Sequence, residues 1–208
     1  MTDELGLRER KKLRTRAAIS AAAIRLFLER GFDAVGVAEV ARVAEVSKRT
    51  LFAYFPTKED LVLHRFADHE TDAADVVRAR RPGQGALAAL REAFLRGLDE
   101  REPVTGLCDA PAVVEVFRLV TGTPALVARL VEFASAGESA LAAALAEAGV
   151  PALDAGLAAA QITAARRTLA TANMDAIAAG VPATRRLPEA VAAAERAFTL
   201  LSSGVGFP

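Results

Sequence analysis

The stretch Gly36–Lys58, GVAEVARVAEVSKRTLFAYFPTK, constrains this chain more than any other. Small or apolar residues recur in it at helical spacing over two short segments, which predicts two short helices with one buried stripe each. Ser47 is a favourable N-cap residue because its hydroxyl can accept a hydrogen bond from the next turn, so the second helix is expected to begin at Lys48. Helices this short are not stable in isolation. The pair therefore indicates a helix-turn-helix that packs against further helices.

A helix-turn-helix places its second helix in the major groove of DNA, with the N-terminal residues toward the base edges. In this chain those residues are Lys48, Arg49 and Thr50. Their side chains carry hydrogen-bond donors suited to guanine acceptors or to phosphate oxygens. The sequence thus predicts a DNA-binding surface at the start of the second helix.

The segment from Thr15 to Val62 resembles the DNA-binding domain of the TetR family of transcriptional regulators. The resemblance rests on the lead-in TRAAISAAAIRLFLERGF, the turn around Val46 and Ser47, and the run TLFAYFPTKEDLV. It implies an all-α fold of about nine helices. Residues 1–57 would form a three-helix DNA-binding domain, followed at 58–208 by a helical ligand-binding and dimerisation domain.

Carried over by position, the resemblance also implies a set of DNA-binding residues: Gly36, Ser47, Lys48, Arg49, Thr50, Phe52, Tyr54 and Lys58. Within that set the residues at the start of the second helix would face the bases. Tyr54 and Lys58 would hold the phosphate backbone.

Three positions depart from the family pattern. Gly36 stands where a threonine often caps the first helix of the motif, and Phe52 stands where a tyrosine is common. Glu45 occupies the turn position where glycine is usual; a left-handed conformation there would cost roughly 1 kcal/mol. The charge of Glu45 would also face a polyanion. These departures bear on the affinity and the register of DNA binding.

The net charge of the chain is zero, but the charges are unevenly placed. Residues 1–58 hold 12 basic and 7 acidic side chains, whereas residues 59–208 hold 14 basic and 19 acidic ones. Six basic residues precede or open the first predicted helix: Arg8, Arg10, Lys11, Lys12, Arg14 and Arg16. Such a run is commonly a solvated arm. Next to a helix-turn-helix it can also follow phosphates or enter the minor groove.

The 208-residue chain is 52% hydrophobic and 25% charged, which is typical of a helical protein with one large core or two modest ones. With one cysteine, Cys108, and no apolar signal-peptide region, we expect a cytoplasmic protein with no membrane partner. His64 and His69 fall on different faces of a predicted helix and indicate no shared metal site. The sequence contains no catalytic motif, so we expect neither enzymatic activity nor a cofactor.

The second domain would hold a small-molecule effector. The segment Phe117–Gly149 resembles the corresponding part of regulators thought to bind acyl-CoA-like ligands. Four apolar side chains could line a cavity there, or could be ordinary core: Phe94, Phe117, Leu130 and Phe133.

Three arginines lie in otherwise apolar helices, namely Arg118, Arg166 and Arg167. An arginine that is buried needs a partner, and an anionic group of a ligand could supply it. Each could equally be exposed or paired with an acid. Arg118 and Arg167 are the two predicted to contact the ligand.

The last two predicted helices, at about 152–179 and 187–202, offer a broad surface of small and apolar residues: Ala158, Ala159, Ala165, Ala172, Val191, Ala194, Ala197, Phe198 and Leu201. The surface could be packed internally. The family pattern makes it a four-helix homodimer interface, and a dimer suits a palindromic site.

Together these features predict a ligand-responsive regulator. The favoured hypothesis is a repressor that binds a pseudo-palindromic operator as a dimer and is released by a small apolar or acyl-type effector. One alternative is an activator, or a regulator that needs no ligand. Another is a lipid- or acyl-thioester-binding protein whose DNA-binding head is weakened by Gly36, Glu45 and Phe52.

Overall fold

The computed structural model describes residues 6–203, and this part of the chain contains helices and no β-strand. Ten α-helices follow one another: α1 Leu7–Arg30, α2 Val37–Val43, α3 Lys48–Tyr54, α4 Asp60–Asp68, α5 Asp72–Arg78, α6 Ala86–Asp99, α7 Pro111–Thr121, α8 Pro124–Glu147, α9 Ala152–Ala178 and α10 Ala183–Ser203. A 3₁₀ turn, Pro103–Thr105, lies between α6 and α7. The predicted all-α fold class is confirmed.

The chain divides into two compact units. The first comprises the described residues up to Arg65 together with Arg118–Arg129. The second comprises Phe66–Phe117 and the described residues from Leu130 onward. The first unit therefore extends beyond residue 57 and includes a segment that the sequence assigns to the second domain.

The first unit is built on α1, whose apolar face packs against the helix-turn-helix. Ile19 and Phe27 of α1 are almost fully buried, as are Val40, Leu51 and Phe55. Gly31 ends α1 with a positive φ of 89°, a conformation that glycine adopts at low cost. The short helices α2 and α3 are thus held by the core that they share with α1.

The sequence predicts a single helix over about 58–80, capped at its start by Thr57 with Asp60 three residues on. The single helix is wrong, because the segment forms α4 and α5 with a break at residues 69–71. Side-chain hydrogen bonds at the break replace the regular helical pattern. His69 Nδ1 lies 2.7 Å from Asp72 Oδ2, and the Thr71 hydroxyl donates to Asp75 Oδ2 at 2.9 Å. Local bonds of this kind compete with helix formation and favour a new helix start.

The core of the second unit lies among α5, α6, α8, α9 and α10. Phe94 of α6 packs against Phe198 of α10 with 6.2 Å between the ring centroids. Helix α10 begins at Ala183, four residues before the predicted start at residue 187. The cause is Asp109, whose Oδ2 accepts a hydrogen bond from the Ala183 backbone N–H at 2.9 Å and so caps the helix from a distant loop.

Within residues 6–203, no single helix is long and apolar enough to cross a membrane. By length and composition alone, the bent pair α7 and α8 passes that test when the two are taken together.

The 3₁₀ turn lies directly against α9. Gly106 follows the turn with a φ of 73°, and a Cβ atom placed on it would lie 1.9 Å from the carbonyl oxygen of Ala170. Asn173 Nδ2 donates to the carbonyl oxygen of Thr105 at 3.0 Å, which fixes the same contact. The close approach of the two backbones therefore requires glycine at position 106.

We expect Gly106→Ala to destabilise the protein much more than Gly149→Ala. Both glycines have a positive φ, which costs an alanine about 1–2 kcal/mol, but no atom lies within 4 Å of a Cβ at Gly149. At Gly106 the displaced backbone adds about 1–3 kcal/mol. Urea unfolding of the two variants measures the difference, and equal losses would contradict the steric argument.

Candidate nucleic-acid interface

The backbone of the helix-turn-helix is fixed by caps and by one turn bond. Helix α3 begins at Lys48 after Ser47, whose Oγ accepts a hydrogen bond from the Thr50 backbone N–H at 3.0 Å. This confirms the predicted N-cap. Between the helices, the Val46 N–H donates to the carbonyl oxygen of Ala41 at 2.9 Å. The N-terminus of α3 is thereby presented at the surface in one defined orientation.

The first turn of α3 carries the predicted base-reading residues. Lys48 and Arg49 are exposed to solvent, so their cationic groups can reach a ligand outside the protein. Thr50 is partly buried, and its hydroxyl oxygen lies 2.8 Å from Ser47 Oγ. The structure thus brings two exposed cations and two hydroxyl groups to the same end of the helix.

Glu45, the turn residue, has a φ of 54° and is one of two non-glycine residues with positive φ in residues 6–203. The left-handed backbone conformation predicted at this position is confirmed. The side chain of Glu45 is exposed, so its carboxylate adds negative charge near the start of α3. The turn therefore stores strain of about 1–2 kcal/mol where the chain would meet DNA.

Phe52 extends the exposed face of α3. Its side chain is 44% exposed, and it lies three and four residues after Arg49 and Lys48 on the same side of the helix. Tyr54 is partly buried. At Gly36, which caps α2, a Cβ atom would meet no other atom within 4 Å, so packing does not require glycine there.

Lys58 is held inside the first unit. Its Nζ donates to the carbonyl oxygen of Phe32 at 2.6 Å and lies 4.3 Å from the centroid of the Phe32 ring. These contacts give Lys58 a structural role, joining the segment after α3 to the segment after α1. Its predicted contact with phosphate stays a prediction.

Asp60 fixes the start of α4, the helix that follows α3 in the chain. The predicted capping interaction is confirmed, because Asp60 Oδ2 accepts from the Thr57 N–H at 3.1 Å and the Thr57 hydroxyl accepts from the Asp60 N–H at 3.2 Å. Arg129 Nε donates to Asp60 Oδ1 at 3.0 Å. Arg129 was missed by sequence reasoning, since it lies 69 residues away and no local pattern marks it.

The run of basic residues at the start of the chain is helical from Leu7 onward, within α1. Arg8, Arg10, Lys11, Lys12 and Arg14 are exposed. They add to the positive charge of the first unit, which the sequence places in residues 1–58.

The predicted ligand-binding residues do not all share one site. Phe94 lines a cavity of about 350 Å³ within the second unit. Phe117, Leu130 and Phe133 are partly buried and do not line that cavity. Arg118 and Arg167 are exposed.

Of the three arginines that the sequence marks in apolar helices, the one that reaches the cavity is Arg166, the neighbour of Arg167. Its position in the sequence could have indicated this. Arg166 follows Ala159 and Ile162 at helical spacing on the buried stripe of α9, and Arg167 does not.

The predicted dimer surface is not all available to a partner chain. Three of its residues, Ala159, Ala194 and Phe198, are buried inside the second unit. Two leucines of α9 that sequence reasoning passed over, Leu153 and Leu157, are 76% and 54% exposed.

Comparison with known proteins agrees with this geometry. Residues 19–64, which contain the helix-turn-helix, match the family model described as bacterial regulatory proteins, tetR family. The transcriptional regulator TcmR of Streptomyces glaucescens is 31% identical over 142 residues. That alignment spans 68% of this chain and 63% of TcmR, which is less than two thirds of the relative's length. The chain belongs to the TetR family.

Solved structures of TetR-type regulators share the fold. NalD of Pseudomonas aeruginosa, described as the secondary repressor of the MexAB-OprM multidrug efflux pump, is 17% identical with a TM-score of 0.57, over 88% of this chain and 96% of NalD. FadR of Bacillus subtilis in complex with stearoyl-CoA is 18% identical with a TM-score of 0.50, over 91% of this chain and 99% of FadR. At these identities the likeness establishes the fold alone.

We expect Glu45→Gly to stabilise the TetR-type head and Glu45→Gln to leave its stability unchanged. Glycine relieves the left-handed strain, and its greater freedom in the unfolded chain offsets part of the gain, leaving up to about 1 kcal/mol. Glutamine removes the charge and keeps the strain. Thermal unfolding separates the two effects. A less stable Glu45→Gly variant would show that the turn is not strained.

Proposed function

We propose that this protein is a transcriptional repressor that binds a pseudo-palindromic operator as a dimer in the cytoplasm and is released by a small-molecule effector. The observation that carries the proposal is the exposed N-terminus of α3, where Lys48 and Arg49 project beyond the Ser47 cap. In a helix-turn-helix this end of the second helix meets the base edges. Membership of the TetR family supports the assignment.

The contacts with DNA would be of two kinds. Arg49 and Lys48 can donate to the O6 and N7 atoms of guanine, a contact worth about 1–3 kcal/mol against a wrong base. The exposed basic residues of α1 would neutralise phosphates, which makes binding fall steeply as salt concentration rises. Ser47 and Thr50 are hydrogen-bonded to each other through their hydroxyl groups. Because either hydroxyl can be the donor of that bond, the other one keeps a proton that it can donate to the backbone of the DNA.

The effector would occupy the second unit. Regulators with the same fold supply two models, since NalD is described as a repressor and FadR is in complex with stearoyl-CoA. An effector releases DNA only if it binds the non-DNA geometry more tightly, by about 5.5 kcal/mol for a shift from 99:1 to 1:99. An apolar or acyl-type molecule is the class that the apolar second unit favours.

The rival hypotheses differ in one measurable property each. An activator or a ligand-independent regulator would bind DNA but differ in sign or in its response to effectors. A lipid- or acyl-thioester-binding protein with a weakened head would not select DNA at all. The strained Glu45 and the exposed Phe52 favour this second rival, and operator binding decides it.

Replacement of Lys48 and Arg49 by alanine is expected to weaken operator binding by a few kcal/mol, since each base contact is worth about 1–3 kcal/mol. Fluorescence anisotropy against the DNA upstream of the protein's own gene, at two salt concentrations, measures this with scrambled DNA as reference. Arg101→Ala, which removes an exposed arginine of the second unit, is the control and should bind as the wild type does. Equal binding of operator and scrambled DNA by the wild type would sink the proposed function.

The dimer is expected to form through α9 and α10. Their exposed leucines, Leu153 and Leu157 on α9 and Leu200 on α10, are the apolar groups that a partner would cover. A dimer would present two α3 helices to successive major grooves, about 34–36 Å apart.

We expect the double variant Leu153→Glu, Leu157→Glu to be a monomer by sedimentation velocity and to lose operator binding, because charged groups would be buried in the interface. Val131→Glu changes a residue of α8 that is 56% exposed and should leave the dimer intact. A double variant that remains dimeric would move the interface away from the start of α9.

A further inference from the structure

The cavity of the second unit lies among α5, α6, the 3₁₀ turn and α9, and it has a volume of about 350 Å³. Its apolar lining comes chiefly from Val76, Leu90, Phe94 and Val104. Arg166 of α9 reaches the same space. The lining also carries four further charged side chains, Asp72, Asp75, Arg96 and Glu102. A cationic group that is partly withdrawn from water costs free energy unless an anion is paired with it.

Arg166 is partly buried, and within residues 6–203 its guanidinium makes no hydrogen bond and no ion pair, although a guanidinium carries five N–H donors. None of its nitrogens is fully buried without a partner, so the unbonded donors are open to solvent. Burial lowers the pKa of Arg166, and the charge of Asp72 only partly opposes that effect. The group stays protonated at neutral pH, so its donors can bind an anionic partner that enters the cavity.

The other charged groups at the cavity are mostly engaged. Asp72 is bound to His69 Nδ1 at 2.7 Å. Asp75 accepts from the Thr71 hydroxyl at 2.9 Å and lies 3.6 Å from an Arg78 nitrogen. Two further side chains of the lining, Arg96 and Glu102, are exposed to solvent, where their charges are screened. Arg166 is therefore the partly buried charge of the cavity that has no hydrogen-bonded partner within residues 6–203.

We propose that this cavity binds a small organic acid, with its carboxylate on Arg166 and its apolar body against Phe94 and Leu90. A guanidinium matches a carboxylate with two parallel hydrogen bonds, which gives direction as well as affinity. Small-molecule sites range over about 300–1,000 Å³. A cavity of about 350 Å³ thus favours a compact acid over an acyl thioester. That the acid is the effector rests on the proposed function; that it binds does not.

The first test needs no ligand. If Arg166 is unpaired in the free protein, Arg166→Met replaces a costly charge by an apolar group of similar length, and the melting temperature should rise by a few degrees. Arg167→Met, at the exposed neighbouring position, should leave it unchanged. A melting temperature that falls in the Arg166 variant would mean that the guanidinium stabilises the fold, which overturns the proposal.

The second test identifies the ligand class by calorimetry. The probes are three acids, hexanoate, benzoate and phenylacetate, each with its neutral amide of the same shape. The wild-type protein should bind at least one acid about tenfold or more tightly than its amide, and Arg166→Met should abolish that preference. Arg167→Met should keep it. If none of the acids is preferred to its amide, or if Arg167→Met abolishes the preference and Arg166→Met does not, the assignment of Arg166 is wrong.

DNA binding in the same samples separates this proposal from the proposed function. If an acid binds at Arg166 while the protein stays bound to its operator, the Arg166 site is supported and release of DNA by that effector is refuted. If the acid and its amide both release the DNA, the repressor function is supported and the role of Arg166 is refuted.

Discussion

The geometry of the helix-turn-helix in the first unit depends on the buried carboxylate of Asp60. Its side chain is 8% exposed, and it accepts hydrogen bonds from the Thr57 N–H on one oxygen and from Arg129 Nε on the other. Because a buried carboxylate without partners would cost several kcal/mol, these donors hold the start of α4 in place. Helix α3 ends only a few residues earlier, so the fixed start of α4 also limits the direction of α3. Leu51 and Phe55 are buried and anchor α3 in the core.

This support allows the helix-turn-helix to have two unfavourable features at its surface. Glu45 is held in a left-handed conformation, and Phe52 exposes an aromatic ring beside the cationic end of α3. Neither would persist in an isolated helix-turn-helix, whose two seven-residue helices bury too little apolar surface to be stable. The core shared with α1 supplies the missing stability. The strained turn and the exposed ring thus cost stability that the core of the same unit supplies.

Whether an interaction of this protein can be predicted from its sequence depends on how far apart the two residues lie in the chain. The Ser47 cap, the conformation of Glu45 and the pairing of Thr57 with Asp60 were all predictable, because each joins residues a few positions apart. Two predictions failed or were incomplete where a residue distant in the chain determines a helix start or supplies a hydrogen bond. Asp109 starts α10 four residues early, and Arg129 reaches Asp60 across 69 residues, with no pattern that announces either contact.

The adjacent arginines of α9 show a third case, in which the sequence pattern indicated only weakly which of the two faces the core. Successive residues of a helix point about 100° apart, so Arg166 and Arg167 must face different surroundings. The buried residues Ala155, Ala159 and Ile162 set the phase of the helix, and that phase carries Arg166 toward the core. Alanine occupies both the buried and the exposed faces of α9, however, so the contrast between them is small. Where composition blurs the amphipathic pattern, a single charged residue can be assigned to the wrong face, and only the packed helix decides which arginine meets the cavity.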